Sequence, residues 1–285
     1  MMPAVLQARG KVNLGLRITG VLADGYHELD SLFWPLAAPC DVLHLAAGQA
    51  GGLHMTCTDA DIDPTHNTLT KAYALFGEAN GFRPALRLHL EKHIPHGAGL
   101  GGGSSDAASL LRWLNSQAPH PLLPEALAAL GLRVGADVPF FLHNQPCRVR
   151  GIGEIITPSP ENTLAGCWLL LLCPPVYVST PWAYQAWDAL PVTEKAQNNL
   201  TTRAVEGRET NSCEGWLSND FEAAVFPCYP VLAQLKRQLM DCGASAAVMS
   251  GSGSSMVGIF QHAATAERAF SQCAESVRIR FLQQL

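Results

Sequence analysis

Apolar and polar residues alternate near the start of the chain. Val12, Leu14, Leu16 and Ile18 are separated by Asn13, Gly15 and Arg17, with Lys11 in front. Period two predicts a half-buried strand with Lys11 and Asn13 on its polar face, roughly 7 Å apart. Ala23-Asp24-Gly25 is a turn signal, so His27 to Leu36 is expected to return as the partner strand. Leu69, Ala72, Tyr73 and Phe76 then fall at i, i+3, i+4 and i+7, a helical face that Gly81 ends. Leu86, Leu88 and Leu90 alternate again as a strand.

After His96 the period changes. Ala107, Leu110, Leu111 and Leu114 form one helical face, entered directly from Gly97 to Gly103. A further helix is expected from Pro124 to Gly131, since proline favours the first turn. Residues 147–180 read as strands, and about 192–214 as a long polar surface loop. Helices are expected over 219–226 and 231–240. A strand, the turn Ser250 to Ser255, a second strand, a helix and a last strand over 277–282 follow. Strands first with helices grouped behind them predict an α+β fold in two halves, 1–157 and 158–285.

Composition narrows the function classes. The 285 residues carry 19 Lys plus Arg against 24 Asp plus Glu, a net charge of −5 without basic runs. That balance argues against nucleic-acid partners, which need clustered positive charge. The longest apolar run, Cys167 to Val178, is broken by Pro174 and Pro175 and is too short for a bilayer. No basic region followed by an apolar block marks a signal peptide. Nine cysteines, an odd number without a CxxC pair, point to a reduced cytoplasmic protein without a dedicated metal site.

The segment Gly97-Ala98-Gly99-Leu100-Gly101-Gly102-Gly103-Ser104-Ser105 opens a helix. Glycines let the backbone approach a ligand closely, and a helix start offers unpaired N–H groups. Together these make an anion site whose common occupant is phosphate. The Walker pattern fails for want of a lysine. The dinucleotide fingerprint matches at Gly97, Gly99 and Gly102, which keeps an oxidoreductase as an alternative. Its context is missing, because no strand ending in an acidic residue follows.

The block Pro95 to Ser105 resembles the ATP loop of the GHMP small-molecule kinases. Gly10-Lys11-Val12-Asn13-Leu14 and Met249-Ser250-Gly251-Ser252-Gly253-Ser254-Ser255 resemble two further blocks of that superfamily. Asp24-Gly25-Tyr26-His27-Glu28-Leu29 and Gly135-Ala136-Asp137-Val138-Pro139-Phe140 are similar to the branch whose acceptor is a cytidine diphosphate-linked methylerythritol. One departure is Arg9-Gly10, where that branch usually has Pro-Ala.

The resemblance implies an N-terminal ribosomal protein S5 domain 2-like fold and a C-terminal ferredoxin-like α/β sandwich, with substrates in the cleft between. It implies an ATP-dependent kinase in non-mevalonate isoprenoid synthesis, with Mg²⁺ carried by ATP and touched by Ser104 or Ser105. Mevalonate- or homoserine-type acceptors remain alternatives. Asp137 becomes the catalytic base and Lys11 its positive neighbour; without the resemblance they read as a helix N-cap and a solvated charge. Pro95, Gly97, Gly99, Leu100, Gly101, Gly102, Gly103, Ser104 and Ser105 would bind ATP, with Asn67 near the adenine unless it only caps its helix. Asn13 would hold the acceptor, Tyr26 would stack on cytosine, and His27 would meet its edge. Tyr184 would cover the opposite face, or else pack its helix with Trp187. Gly251, Ser252 and Gly253 would line the phosphate cleft. Monomer and homodimer both stay open.

Overall fold

Two long strands carry the N-terminal half. In the computed structural model, which describes residues 3–159, 164–195, 217–273 and 277–285, β1 (Ala4–Val21) pairs antiparallel with β2 (His27–Ala47). Their turn contains Gly25 at φ +87°, and the Tyr26 N–H donates to the Asp24 side chain. β3 (Leu53–Cys57), β4 (Leu86–Glu91), β5 (Cys147–Gly151) and β6 (Ile155–Pro158) complete the sheet in the order β3-β4-β2-β5-β6, with β1 on β2.

The helices of this half are α1 (Thr68–Asn80), α2 (Gly102–Gln117), α3 (Pro124–Val134) and α4 (Val138–His143). Their apolar faces bury Phe76, Leu110, Leu111 and Phe140 against Leu43, Leu86 and Leu88 of the sheet. Complete burial of one such side chain contributes about 1.5–3 kcal/mol.

The second half is an antiparallel sheet of β7 (Trp168–Cys173), β8 (Ala246–Met249), β9 (Met256–Phe260) and β10 (Ile279–Gln284), in the order β10-β7-β9-β8. Its helices are α5 (Thr180–Asp188), α6 (Phe221–Cys228), α7 (Pro230–Asp241) and α8 (Ala263–Gln272). The run Leu169 to Leu172 is apolar throughout because both faces of β7 are covered. Leu170 and Leu172 pack under the helices, while Leu169 and Leu171 meet Val12, Leu14 and Leu36 of the first half. That shared cluster joins the halves. The expected surface loop lies mostly outside the described residues, which omit 196–216.

β1 departs from its half-buried reading. Val12 and Leu14 are fully buried, yet Lys11 and Asn13 are only 4% and 2% exposed. The polar face of this strand is a cleft wall rather than a solvent face. The pairing with β2 is irregular between Arg9 and Lys11 and again between Asn13 and Leu16. Such irregularities bend a strand and redirect its side chains.

Candidate active site

The glycine loop leaves β4 and enters α2. Gly97, Gly99 and Gly101 have φ of +66°, +74° and +69°, a region that L side chains seldom adopt. Gly99 has a second constraint, since a Cβ there would lie 2.1 Å from the Ser250 carbonyl oxygen. The third glycine/serine block therefore presses directly on the first. Ser250 Oγ donates to the Gly99 carbonyl at 2.9 Å and accepts the Asn13 N–H at 3.1 Å. The Ser255 N–H donates to the Ala98 carbonyl, and the Lys11 N–H to that of Leu100. Gly101 caps α2 without a side chain, so no side chain covers the first N–H groups of the helix, and Gly102 and Gly103 line the cleft.

This cleft has a volume of about 390 Å³. Its wall includes Lys11, Asn13, Pro95, Gly97 to Ser104, Asp137, Tyr184, Gly251 and Ser252. Lys11 Nζ lies 3.4 Å from Asp137 Oδ2, donates to Asn13 Oδ1 at 2.6 Å, and sits 4.5 Å from the centre of the Phe33 ring. Asn13 Nδ2 in turn donates to Ser31 Oγ, whose hydroxyl donates to the Gly15 carbonyl. Every polar atom of the Asn13 amide is thereby oriented. Asp137 precedes α4 but makes no side-chain cap, and its carboxylate is 30% exposed in the cleft. The N-cap reading of Asp137 falls on that geometry.

Beside the cleft, whose wall includes Tyr184 but not His27, the His27 and Tyr184 rings stack with centroids 4.5 Å apart. His27 also meets the edge of Trp187, and its Nε2 lies 2.8 Å from Asp188 Oδ1. Tyr184 packs edge-on against Phe221. Burial, with the Asp137 charge adding to it, pushes the Tyr184 phenol up to about 12, so the ring stays neutral.

Comparison with known proteins follows this geometry. Residues 67–145 match the family described as GHMP kinases N terminal domain, and residues 205–279 match GHMP kinases C terminal. The 4-diphosphocytidyl-2-C-methyl-D-erythritol kinase of Nitratidesulfovibrio vulgaris (strain Hildenborough) is 52% identical over 94% of this chain and 93% of its own length. The chain belongs to the GHMP kinases, in the 4-diphosphocytidyl-2-C-methyl-D-erythritol kinase family. The enzyme of that name from Lawsonia intracellularis is 46% identical, covering 88% of this chain and 86% of its own. A crystal structure of a 4-(cytidine 5'-diphospho)-2C-methyl-D-erythritol kinase superposes with a TM-score of 0.77 at 32% identity, covering 98% of both chains.

Within this GHMP kinase cleft, several residues stand elsewhere than the motifs implied. The Ser105 hydroxyl is buried and donates to the Arg9 carbonyl at 2.7 Å, so Ser104 alone of the pair faces the cleft. Asn67 caps α1: its Oδ1 accepts the N–H groups of Leu69 and Thr70, while the Asn67 N–H donates to the Thr70 hydroxyl oxygen. Thr68, not Asn67, reaches the cleft wall, with its hydroxyl on the Gly103 carbonyl. Asn67→Ala is expected to cost about 1 kcal/mol of stability and to leave the KM for ATP unchanged. Urea denaturation and steady-state kinetics check the two halves of that expectation. Tyr26 is 61% exposed on its turn and outside the cleft wall, because the left-handed Gly25 and the Asp24 contact turn it outward. The Tyr184 face assigned to cytosine carries the His27 ring. Gly253 is also outside the wall, whereas Gly251 and Ser252 are in it.

Lys92 and Asp41 stand outside every motif, and Asp106 follows the glycine-loop serines without an assigned role. Lys92 Nζ lies 3.1 Å from Asp106 Oδ2 and also bonds Asp41 Oδ2, all three being nearly inaccessible. Asp41 Oδ1 accepts the N–H groups of His93 and Ile94, which fixes the segment leading into the glycine loop. Asp106 Oδ1 is buried without a partner. Burial would lower Lys92, but Asp106 and Asp41 outweigh it and hold the ammonium above its ordinary value. Burial raises the Asp106 carboxyl from 3.8 to about 8; Lys92 opposes and Asp41 adds to the rise. Burial thus favours the protonated form of the Asp106 carboxyl.

The folded chain then binds that proton where an unfolded Asp has released it. Stability should fall as pH rises from about 4 toward about 8. Asp106→Asn cannot ionise, so urea midpoints from pH 5 to 8 should be flatter for the variant than for the parent. Parallel profiles would contradict this assignment.

Proposed function

We propose that this protein transfers the γ-phosphoryl group of ATP to a hydroxyl of 4-diphosphocytidyl-2-C-methyl-D-erythritol, in non-mevalonate isoprenoid synthesis. The observation carrying the chemistry is the Lys11–Asp137 pair, 3.4 Å apart in a cleft walled by the glycine loop. Phosphoryl transfer asks the protein mainly for positioning and charge stabilisation. The acceptor hydroxyl oxygen bonds to the γ-phosphorus as the bond from phosphorus to the ADP oxygen breaks. Asp137 takes the hydroxyl proton. Lys11 stabilises the negative charge developing on the acceptor oxygen, and Asn13 aligns the acceptor. The N–H groups at the start of α2 receive the phosphates. His27 and Tyr184 hold the cytosine end, with Asp188 fixing the His27 ring.

The donor set suits Mg²⁺ carried by the nucleotide. Among the described residues no group of three His, Cys, Asp or Glu could cage an ion by itself. Ser104, in the cleft wall, and the Asp137 carboxylate offer the one or two hard oxygens that Mg²⁺ takes beside substrate phosphates. Bound there, the ion would neutralise phosphate charge. Cys40, Cys57, Cys147, Cys173, Cys228, Cys242 and Cys273 carry free thiols, which suits a reducing cytoplasm. No helix among the described residues is long and apolar enough to cross a membrane.

A dinucleotide-dependent reaction is disfavoured because α3, not a second strand, follows α2. Other acceptors rest on fold alone. The homoserine kinase of Cytophaga hutchinsonii superposes at 18% identity with a TM-score of 0.74, covering 98% of this chain and 95% of its own. The test is coupled ADP release from purified protein with a panel of alcohols. Turnover is expected with the cytidylated methylerythritol; turnover only with mevalonate or homoserine would overturn the acceptor.

A further inference from the structure

A second cavity, about 270 Å³, is lined by Gln7, Arg9, Ser105, Arg112, Phe141 and Asn144 and shares no wall residue with the catalytic cleft. Gln7 and Arg9 are two apart on β1 and so point to one side of the strand. Ser105 and Arg112 are seven apart on α2, two turns along one face. Asn144 ends α4 in a left-handed conformation at φ +52°. The Ser105 hydroxyl on the Arg9 carbonyl ties strand to helix, and buried Ser105 and Phe141 contribute the sheltered part of the wall. Gln7, Arg9, Arg112 and Asn144 are exposed, so the cavity opens to solvent.

The wall contains two guanidinium groups and two side-chain amides but no carboxylate. Among the described residues no acidic group pairs with Arg9 or Arg112, although the chain as a whole carries −5. Although Arg112 keeps solvent contact, partial desolvation in the cavity pulls its guanidinium below its ordinary value, with no charge partner to offset it. An uncompensated pair of planar donor forks in one concavity matches an oxyanion. A phosphoryl dianion has three oxygens to share among two forks and two amides; a monocarboxylate has two.

We propose that this cavity binds the phosphoryl end of a small phosphate ester or diphosphate, at a site separate from the one that binds ATP and acceptor. It adjoins the catalytic elements. Arg9 lies two residues before Lys11, Ser105 is in the first turn of the glycine-loop helix, and Phe141 is where a Cβ on Gly101 would collide at 2.9 Å.

The experiment is isothermal titration calorimetry of the full chain with inorganic pyrophosphate, after the catalytic cleft is saturated with a non-hydrolysable ATP analogue. Binding at one site is expected. Arg9→Gln and Arg112→Gln should each weaken it about tenfold or more while leaving thermal melting and ADP release at parental values. Succinate should bind at least about tenfold more weakly than pyrophosphate. Absence of binding at millimolar pyrophosphate, retention of full affinity by both variants, or equal affinity for succinate would each overturn the proposal.

Discussion

Asp137→Asn is expected to lower kcat by about 10²-fold or more, the range that a positioned general base contributes. The side chain faces the cleft, caps no helix, and has Lys11 as its ion-pair partner. An amide of the same shape fills the same space but cannot accept the hydroxyl proton. The KM for ATP should change little, because on this proposal the nucleotide is bound by the glycine loop and the start of α2. The substitution leaves the buried Lys11 ammonium without its counter-charge, so some loss of stability accompanies it. Melting curves and kcat measured on the same folded preparation separate the two effects. Near-parental turnover would sink the assignment of Asp137 as base.

Lys11→Met should lower kcat by about 10²- to 10³-fold, as loss of a preorganised transition-state donor does. Methionine retains an unbranched chain over the Phe33 ring but removes both the charge and the hydrogen bond to Asn13 Oδ1. The anion left behind, Asp137, is 30% exposed and can be solvated, so the stability loss should come mainly from the buried Asn13 Oδ1 that loses its donor. Because both groups serve one proton transfer, their losses should not add. Kinetics of the double variant should approach those of the worse single variant. Additive losses would mean that Lys11 and Asp137 act at separate steps.

Much of this site is legible in the chain because glycine-rich blocks carry backbone requirements that few other residues meet. Gly99 is the clearest case: its positive φ and the 2.1 Å approach of the Ser250 carbonyl each exclude a side chain. The strand containing Lys11 is also visible, but its burial is not. Period two separates two faces of a strand without saying what covers each, and here the polar face lines the cleft. Ser104 and Ser105 look equivalent in sequence; a rotation of about 100° per residue around α2 sends one to the cleft and the other to Arg9. The cap at Asn67 was readable from its position before an apolar helical face. The Lys92, Asp41 and Asp106 cluster was not, since its members come from three elements and no local spacing joins them. Tyr26 and His27 are adjacent in the chain, yet the turn at Gly25 puts one into solvent and the other onto Tyr184.

The fold was legible wherever one face of an element was apolar. It was least so at β7, whose unbroken leucines give no period because helices cover one face and the N-terminal half covers the other.

The most direct test of the central claim is ³¹P NMR of the products formed from ATP and 4-diphosphocytidyl-2-C-methyl-D-erythritol. The account predicts a new phosphomonoester resonance on the acceptor, its diphosphate signals retained, and ADP in equal amount. Inorganic phosphate as the sole new signal, or cleavage of the acceptor diphosphate, would contradict phosphoryl transfer to a hydroxyl.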